Sequence, residues 1–236
     1  MRACVLVLLL PFLLAGCETT QETSARLAKQ GKHAFKEVGL KVAHASGDVR
    51  VLRTAVVHDA NGSAVVVTLR NRTARTIVAA PVSIVVKGKA GAAVFRNDAP
   101  GLEPALTHVA ALGPHARLDW VNDQVTADAP VGVDAVVGAG RGGAAKLPAL
   151  NVGRPRIEVD PTNGPTAVGT VTDRSKIVQT NLVVFCVARK AGKVVAAGRS
   201  LIPRLAPGKP AKYHVFFIGD PRGARLTVAA PPTVLQ

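Results

Sequence analysis

The chain has 236 residues, of which 30 are Lys or Arg and 15 are Asp or Glu, so its formal net charge is +15. Such an excess of positive charge draws a protein towards anionic lipid, acidic polymers or acidic proteins. Aromatic residues make up only 3% of the chain, which leaves few stacking platforms for nucleic-acid bases. Nucleic acid is therefore not an expected partner.

The first residues have the pattern of an export signal. Arg2 is followed by an apolar stretch over residues 3–15, too short for a bilayer span of about 20 residues and typical of a secretory signal peptide. The stretch ends in Leu14-Ala15-Gly16-Cys17. Small residues before a cleavage point let the chain lie extended in a peptidase groove, and the thiol that follows can carry lipid.

This segment resembles the lipobox of bacterial lipoproteins. The resemblance implies that residues 1–16 are removed and that the thiol of Cys17 receives diacylglycerol. Because two acyl chains anchor stably whereas one holds reversibly, we expect an exported, membrane-anchored lipoprotein of the cell envelope. Glu18 is not the aspartate that resembles an inner-membrane retention signal. The outer membrane is therefore expected where there are two membranes, and the outer face of the cell membrane where there is one.

The polar residues 17–47 are interpreted as the anchor and a spacer, part of which has a weakly amphipathic helical pattern. The alternative is a basic segment that lies on anionic lipid through Lys29, Lys32 and Lys36. Each cation near such a surface contributes about 1 kcal/mol.

From Val49 onward, short β-type runs alternate with turn residues, and their order begins again after Pro148. "VVTLRNRT" (66–73) aligns with "VGTVTDRS" (168–175), and "KGKAGAAV" (87–94) with "ARKAGKVV" (188–195). "LGPHARLDWV" (112–121) is similar to "LAPGKPAKYHVFF" (205–217). The sequence therefore predicts an all-β chain with two copies of one antiparallel β-sandwich, at 48–137 and 155–236, joined by a Gly/Pro linker at 138–154.

The second copy resembles the small immunoglobulin-like domains of bacterial envelope lipoproteins, of the FxLYD kind. The likeness lies in "LVVFCVARKAGKVV" (182–195) and "LAPGKPAKYHVFF" (205–217), although Cys186 and Val187 replace the family's aromatic and acidic residues. The resemblance implies tandem immunoglobulin-like sandwiches that serve in adhesion, assembly or scaffolding. It supplies no catalytic residue.

"DAVVGAGRGGAAK" (134–146) has the glycine spacing of a dinucleotide-binding fingerprint. That site also needs a helix that opens at the glycines and holds the pyrophosphate at its N-terminus. Pro148, Gly153 and Pro155 interrupt the stretch where the helix would run, and proline inside a helix costs about 3 kcal/mol or more. We therefore predict a flexible linker and no cofactor.

Three side chains have two interpretations each, one as packing residues of the core and one as functional residues. Cys186 is the only thiol left once Cys4 departs with the signal and Cys17 is acylated, so no intramolecular disulfide is expected. A buried core thiol is predicted, with a reactive or partner-linking thiol as the alternative. Trp120 and Tyr213, in equivalent strands, are predicted to pack in the cores, with a ligand shelf as the alternative.

One constellation is a candidate binding site. Arg70, Arg72 and Arg75 occupy a loop equivalent to the one that holds Arg174 and Lys176. The two copies would thus each present cations at the same end, for an anionic polymer, a lipid surface or an acidic protein of the envelope. A solvated surface of a basic protein is the simpler interpretation.

The sequence has no His-x-x-x-His pair, no nucleophile elbow and no paired carboxylates, so no metal site and no enzymatic activity are expected. The predicted function is binding or scaffolding at the envelope by a lipid-anchored protein. The first alternative is an accessory lipoprotein subunit of a transport or secretion assembly. A weaker alternative is an envelope hydrolase with an unrecognised site.

Overall fold

The computed structural model describes residues 39–143, 146–161 and 164–235, and nearly all regular structure in them is β. The strands are β1 (Val49–Asp59), β2 (Gly62–Asn71), β3 (Ile77–Lys87), β4 (Ala93–Arg96), β5 (His108–Leu112), β6 (Arg117–Val125), β7 (Gly132–Val137), β8 (Arg141–Gly142), β9 (Leu150–Val152), β10 (Arg156–Asp160), β11 (Gly164–Asp173), β12 (Gln179–Lys190), β13 (Lys193–Leu205), β14 (Pro210–Phe216), β15 (Ile218–Gly219) and β16 (Arg225–Ala229). Two 3-10 turns cover Lys89–Gly91 and Pro104–Leu106. In these ranges no helix has the length and apolarity that a membrane crossing requires.

The strands form four antiparallel sheets, which confirms the predicted all-β sandwich class. In sheet I, β3 pairs with β4, β5, β7 and β8; sheet II has the order β1-β2-β6. Sheet III has the order β15-β13-β12-β16, and sheet IV has the order β10-β11-β14, with β9 also on β11. Sheets I and II come from the first half of the chain and sheets III and IV from the second.

Sheet III is covered on both faces. Along β12, Val183, Phe185 and Val187 belong to a cluster with the valines of sheet II, whereas Val184 and Cys186 belong to a cluster with sheet IV. Alternate residues of a strand point to opposite faces. The order of layers is therefore sheet I, sheet II, sheet III, sheet IV, with an apolar interface at each step.

This layering explains why two strands are apolar without alternation. In β2, all residues of the run 63–67 are buried, and in β12 the same is true of 182–188. Strands with one wet face alternate apolar and polar residues, whereas strands buried on both faces read as continuous apolar runs. The contacts group the chain from Val38 onward into one unit. The predicted boundaries at 48–137, 138–154 and 155–236 stay predictions.

The turns that the sequence alignment pairs share two left-handed residues at equivalent positions. Ala90 and Gly91 have φ of 63° and 78°, and Ala191 and Gly192 have φ of 48° and 78°. Ala191 and Gly192 are the two central residues of a tight hairpin, where left-handed residues match the strand twist, whereas Ala90 and Gly91 lie in a longer connection between Lys87 and Ala93. The sequence repeat therefore extends to backbone conformations that non-glycine residues rarely adopt.

A second pair of turns, after β2 and after β11, is also shared. The Oδ1 atom of Asn71 accepts the N–H of Thr73 at 2.9 Å, and Oδ1 of Asp173 accepts the N–H of Ser175 at 2.7 Å. The two side chains differ at their second polar atom. Nδ2 of Asn71 donates to the carbonyls of Arg75, Leu112 and Gly113 at 2.6, 3.1 and 2.9 Å. Oδ2 of Asp173 is buried with no hydrogen-bond partner among the described residues.

Candidate functional site

Three arginines stand side by side across sheet II. The strand register places Arg50 opposite Arg70 and Arg70 opposite Arg117, so all three project from the same face of the sheet. Residues directly opposite on antiparallel strands have Cβ atoms about 4.5–5.5 Å apart, and like charges in such positions are destabilising. We call Arg50, Arg70 and Arg117 the arginine row. Folding brings these cations together at an electrostatic cost, which points to a role other than stability.

The arginine row is exposed, and none of its members forms an ion pair with a carboxylate in the described part of the chain. Beside the row is a shallow hollow of about 240 Å³, lined by Arg50, Leu52, Arg70, Arg72 and His115. Arginine presents a rigid fork of N–H donors that matches the oxygens of carboxylate and phosphate. The hollow is therefore suited to an anion.

A larger cleft opens next to this hollow, at the junction of sheets II and III. Its volume is about 640 Å³, within the range of small-molecule pockets. The cleft is lined by Leu52, Arg53, Thr68, Arg117, Leu118, Asp119, Phe185, Arg189, Thr227, Val228 and Ala229. Leu52 lines both spaces. Arg117, a member of the arginine row, lines the larger cleft. Together the two spaces hold six arginines and one carboxylate. We call them jointly the basic cleft.

The single carboxylate of the basic cleft is already neutralised. Arg189 of β12 donates hydrogen bonds from both terminal nitrogens to the two carboxylate oxygens of Asp119 of β6, each at 2.8 Å. Thr68 donates its hydroxyl to the same carboxylate at 2.6 Å. A forked pair of this kind is the strongest arrangement of a charge-assisted hydrogen bond. The remaining arginines of the cleft are therefore left with an uncompensated positive field.

A second ion-pair cluster fixes sheet III to sheet II. The side chain of Arg199 is only 9% exposed and lies 2.7 Å from Asp123 and 3.1 Å from Glu103. Burial disfavours its charged form, but the two carboxylates outweigh that effect, so the pKa of Arg199 is raised. At the sheet edge, the N–H of Gly219 donates to Asp59 at 2.7 Å. These contacts hold the walls of the basic cleft in a fixed relation.

Of the cations predicted from sequence, the structure brings together Arg70 and Arg72, which line the same hollow. Arg75 points to Asp48 instead, at 3.8 Å and exposed to solvent. Arg174 and Lys176 are exposed in the equivalent turn, and no contact given for the described residues joins them to the arginine row. That the two loops present cations at the same end stays a prediction; around Arg70 and Arg72, the positive surface extends across the strands of sheet II.

Arg50, Arg53 and Arg117 were not predicted from the sequence. Each stands in a separate β-type run, and only the pairing register shows that they converge. Arg53 is set opposite Thr68 by a bulge in β1 between Val51 and Arg53. Such a bulge shifts the register by one residue and re-aims side chains. The alternation of the sequence alone could not have located it.

The glycine segment runs along β3. The N–H of Gly138 donates to the carbonyl of Pro81 at 2.8 Å, and β8 pairs with the start of β3. A Cβ atom on Gly140 would lie 2.6 Å from Ile77 and 2.8 Å from the carbonyl oxygen of Val78. Close backbone approach accounts for glycine at position 140. In the described residues that follow, the first regular element is β9 and not a helix.

Three side chains weighed between packing and function are all buried. Cys186 lies in the cluster between sheets III and IV, where burial raises the pKa of its thiol to about 12. A thiol that stays protonated is a poor nucleophile. Burial, and then the nearby Cys186, raise the pKa of Tyr213 to about 12. Trp120 is fully buried and donates its indole N–H to the carbonyl of Ala105 at 3.0 Å.

Cys17 and residues 1–16, which are predicted to be a signal peptide, lie outside the described residues. No group of three His, Cys, Asp or Glu side chains within the described ranges is arranged to hold a metal ion. Neither a family model nor a curated protein matches the sequence.

Proposed function

We propose that this chain is a lipid-anchored, non-catalytic binding protein of the bacterial cell envelope that engages an anionic partner through its basic cleft. The lipobox ending at Cys17 supports the address: the outer membrane where there are two membranes, the outer face of the cell membrane where there is one. The turns shared between the halves support a duplicated immunoglobulin-like sandwich of the FxLYD kind.

The observation that carries this proposal is the arginine row. Arg50, Arg70 and Arg117 are aligned by strand register, exposed, and without a carboxylate partner in the described residues. An anion placed over the row would relieve repulsion that the fold itself leaves uncompensated. A scaffold whose two halves are fixed by buried ion pairs holds this surface in a preformed shape, which lowers the entropy cost of binding.

The anchor is tested by intact-mass analysis of the protein purified from bacterial membranes. We expect an N-terminal residue that corresponds to Cys17 and carries acyl groups, and a Cys17→Ser variant that is not lipidated. An unmodified first residue in the membrane-derived protein would contradict the envelope address.

The binding site is tested by sedimentation of the mature chain with cell-wall and membrane fractions. We expect a triple variant, Arg50→Ser, Arg70→Ser and Arg117→Ser, to lose most of the sedimented fraction. A matched control removes three cations elsewhere: Arg154→Ser, Arg204→Ser and Lys212→Ser. If both variants sediment alike, the basic cleft is not the binding surface. In-cell crosslinking then identifies the macromolecule that is bound.

A further inference from the structure

The basic cleft combines two chemistries that a simple polyanion would not need. One end is the arginine row, with Arg72 beside it. The other end, between sheets II and III, is lined by Leu52, Val228 and Ala229, each of them partly exposed. Leu52 is half-buried and belongs to neither hydrophobic cluster, so its apolar side chain packs in no core. A partly exposed apolar residue between arginines suits a ligand that is charged at one end and apolar at the other.

We propose that the basic cleft binds an anionic phospholipid, with the phosphate on the arginine row and the first carbons of the acyl region against Leu52 and Ala229. This inference deepens the proposed function and rests on it. Strands in a sheet are about 4.8 Å apart, so the arginine row presents three guanidinium groups along a line that crosses the sheet. The guanidinium groups of several arginines can thus donate hydrogen bonds to the oxygens of one phosphate group and of adjacent groups in the same ligand.

The choice of phospholipid over a soluble phosphate follows from the position of the apolar surface. Leu52 lines both the hollow of the arginine row and the larger cleft, so a ligand that extends from the row into the cleft passes over it. A volume of about 640 Å³ exceeds what a phosphate ion would fill. The lipid anchor proposed at Cys17 keeps the cleft close to a membrane that supplies this ligand.

The test uses the mature chain with Cys17→Ser and calorimetry with three probes: dihexanoyl phosphatidic acid, dihexanoyl phosphatidylcholine and inorganic phosphate. We expect phosphatidic acid to bind roughly tenfold more tightly than inorganic phosphate, because apolar contact adds to the ionic contact. Phosphatidylcholine, whose phosphate is neutralised by its own ammonium group, is expected to bind more weakly than phosphatidic acid by a similar factor.

Variants separate the two halves of the site. Arg70→Ser with Arg117→Ser is expected to weaken both phosphate probes roughly tenfold or more, whereas the control pair Arg204→Ser with Lys212→Ser leaves both unchanged. Leu52→Asn is expected to weaken phosphatidic acid several-fold and leave inorganic phosphate unchanged. Arg70→Lys with Arg117→Lys keeps the charge but loses the fork, and should still weaken phosphatidic acid.

The outcomes distinguish this inference from the proposed function. If phosphatidic acid and inorganic phosphate bind equally and both depend on the arginines, the lipid assignment is wrong while an anion site remains. If neither probe responds to the arginine variants, both proposals fail. Vesicles of phosphatidylcholine with and without phosphatidic acid, sedimented with the same variants, show whether the lipid is bound within a bilayer.

Discussion

Replacing Asp173 with Asn is expected to stabilise the protein, because the equivalent Asn71 shows what that turn accepts. Oδ2 of Asp173 is buried without a partner, whereas Nδ2 of Asn71 donates to three carbonyls at 2.6–3.1 Å. An unpaired buried polar atom costs about 1–3 kcal/mol, and each hydrogen bond gained contributes about 1 kcal/mol. The Asp173→Asn variant should therefore gain about 2 kcal/mol.

The reverse exchange gives the matching loss. Asn71→Asp removes three donated hydrogen bonds and sets a carboxylate oxygen against carbonyl oxygens, with an expected cost of about 3 kcal/mol or more. Asp128→Asn is the control, because that exposed side chain undergoes the same change of charge without a change in the turn.

Urea unfolding of the mature chain with Cys17→Ser measures all three variants. We expect the midpoint to rise for Asp173→Asn, to fall for Asn71→Asp and to stay fixed for Asp128→Asn, with an unchanged slope in each case. If Asp173→Asn destabilises the protein, or if the two exchanges have effects of the same sign, the turns are not equivalent and the reasoning is refuted.

Three further outcomes follow from the described contacts. Arg199→Met should cost about 3 kcal/mol in urea unfolding because it leaves the Asp123 carboxylate without its cation at the interface, and adding Asp123→Asn should recover part of that loss. The contribution of Cys186 to stability should be constant below pH 9 and be lost between pH 9 and about 12, since the raised pKa of its thiol makes unfolding release a proton in that window. Cys186→Ala should therefore make the alkaline decline in stability shallower, and an unchanged profile would contradict this. Gly140→Ala should cost about 1–3 kcal/mol by overpacking against β3, whereas Gly142→Ala, with open space around its Cβ position, should change the thermal midpoint little.

The class of fold and its turns were predictable from sequence because both depend on local patterns. Runs of valine and threonine broken by turn residues identify strands, and the paired Lys-Ala-Gly segments identified two turns with left-handed residues at equivalent positions. The turn pair at Asn71 and Asp173 was also aligned correctly.

The arrangement of the layers was not predicted, although a signal was present. The runs 63–67 and 182–188 lack the polar alternation of a strand with one wet face, and both turn out to be covered twice. The arginine row carried no such signal. Arg50, Arg70 and Arg117 are far apart in sequence, and their alignment depends on the register of three strands and on one bulge.

Because sheet II covers one face of sheet III, the two halves of the chain cannot be studied as separate fragments. A fragment that begins after the glycine segment would leave Val183, Phe185 and Val187 facing water, together with Arg199 stripped of its carboxylates. Such a fragment would self-associate through its bare valine surface. The folding of sheet III therefore depends on an apolar surface that the first half of the chain supplies.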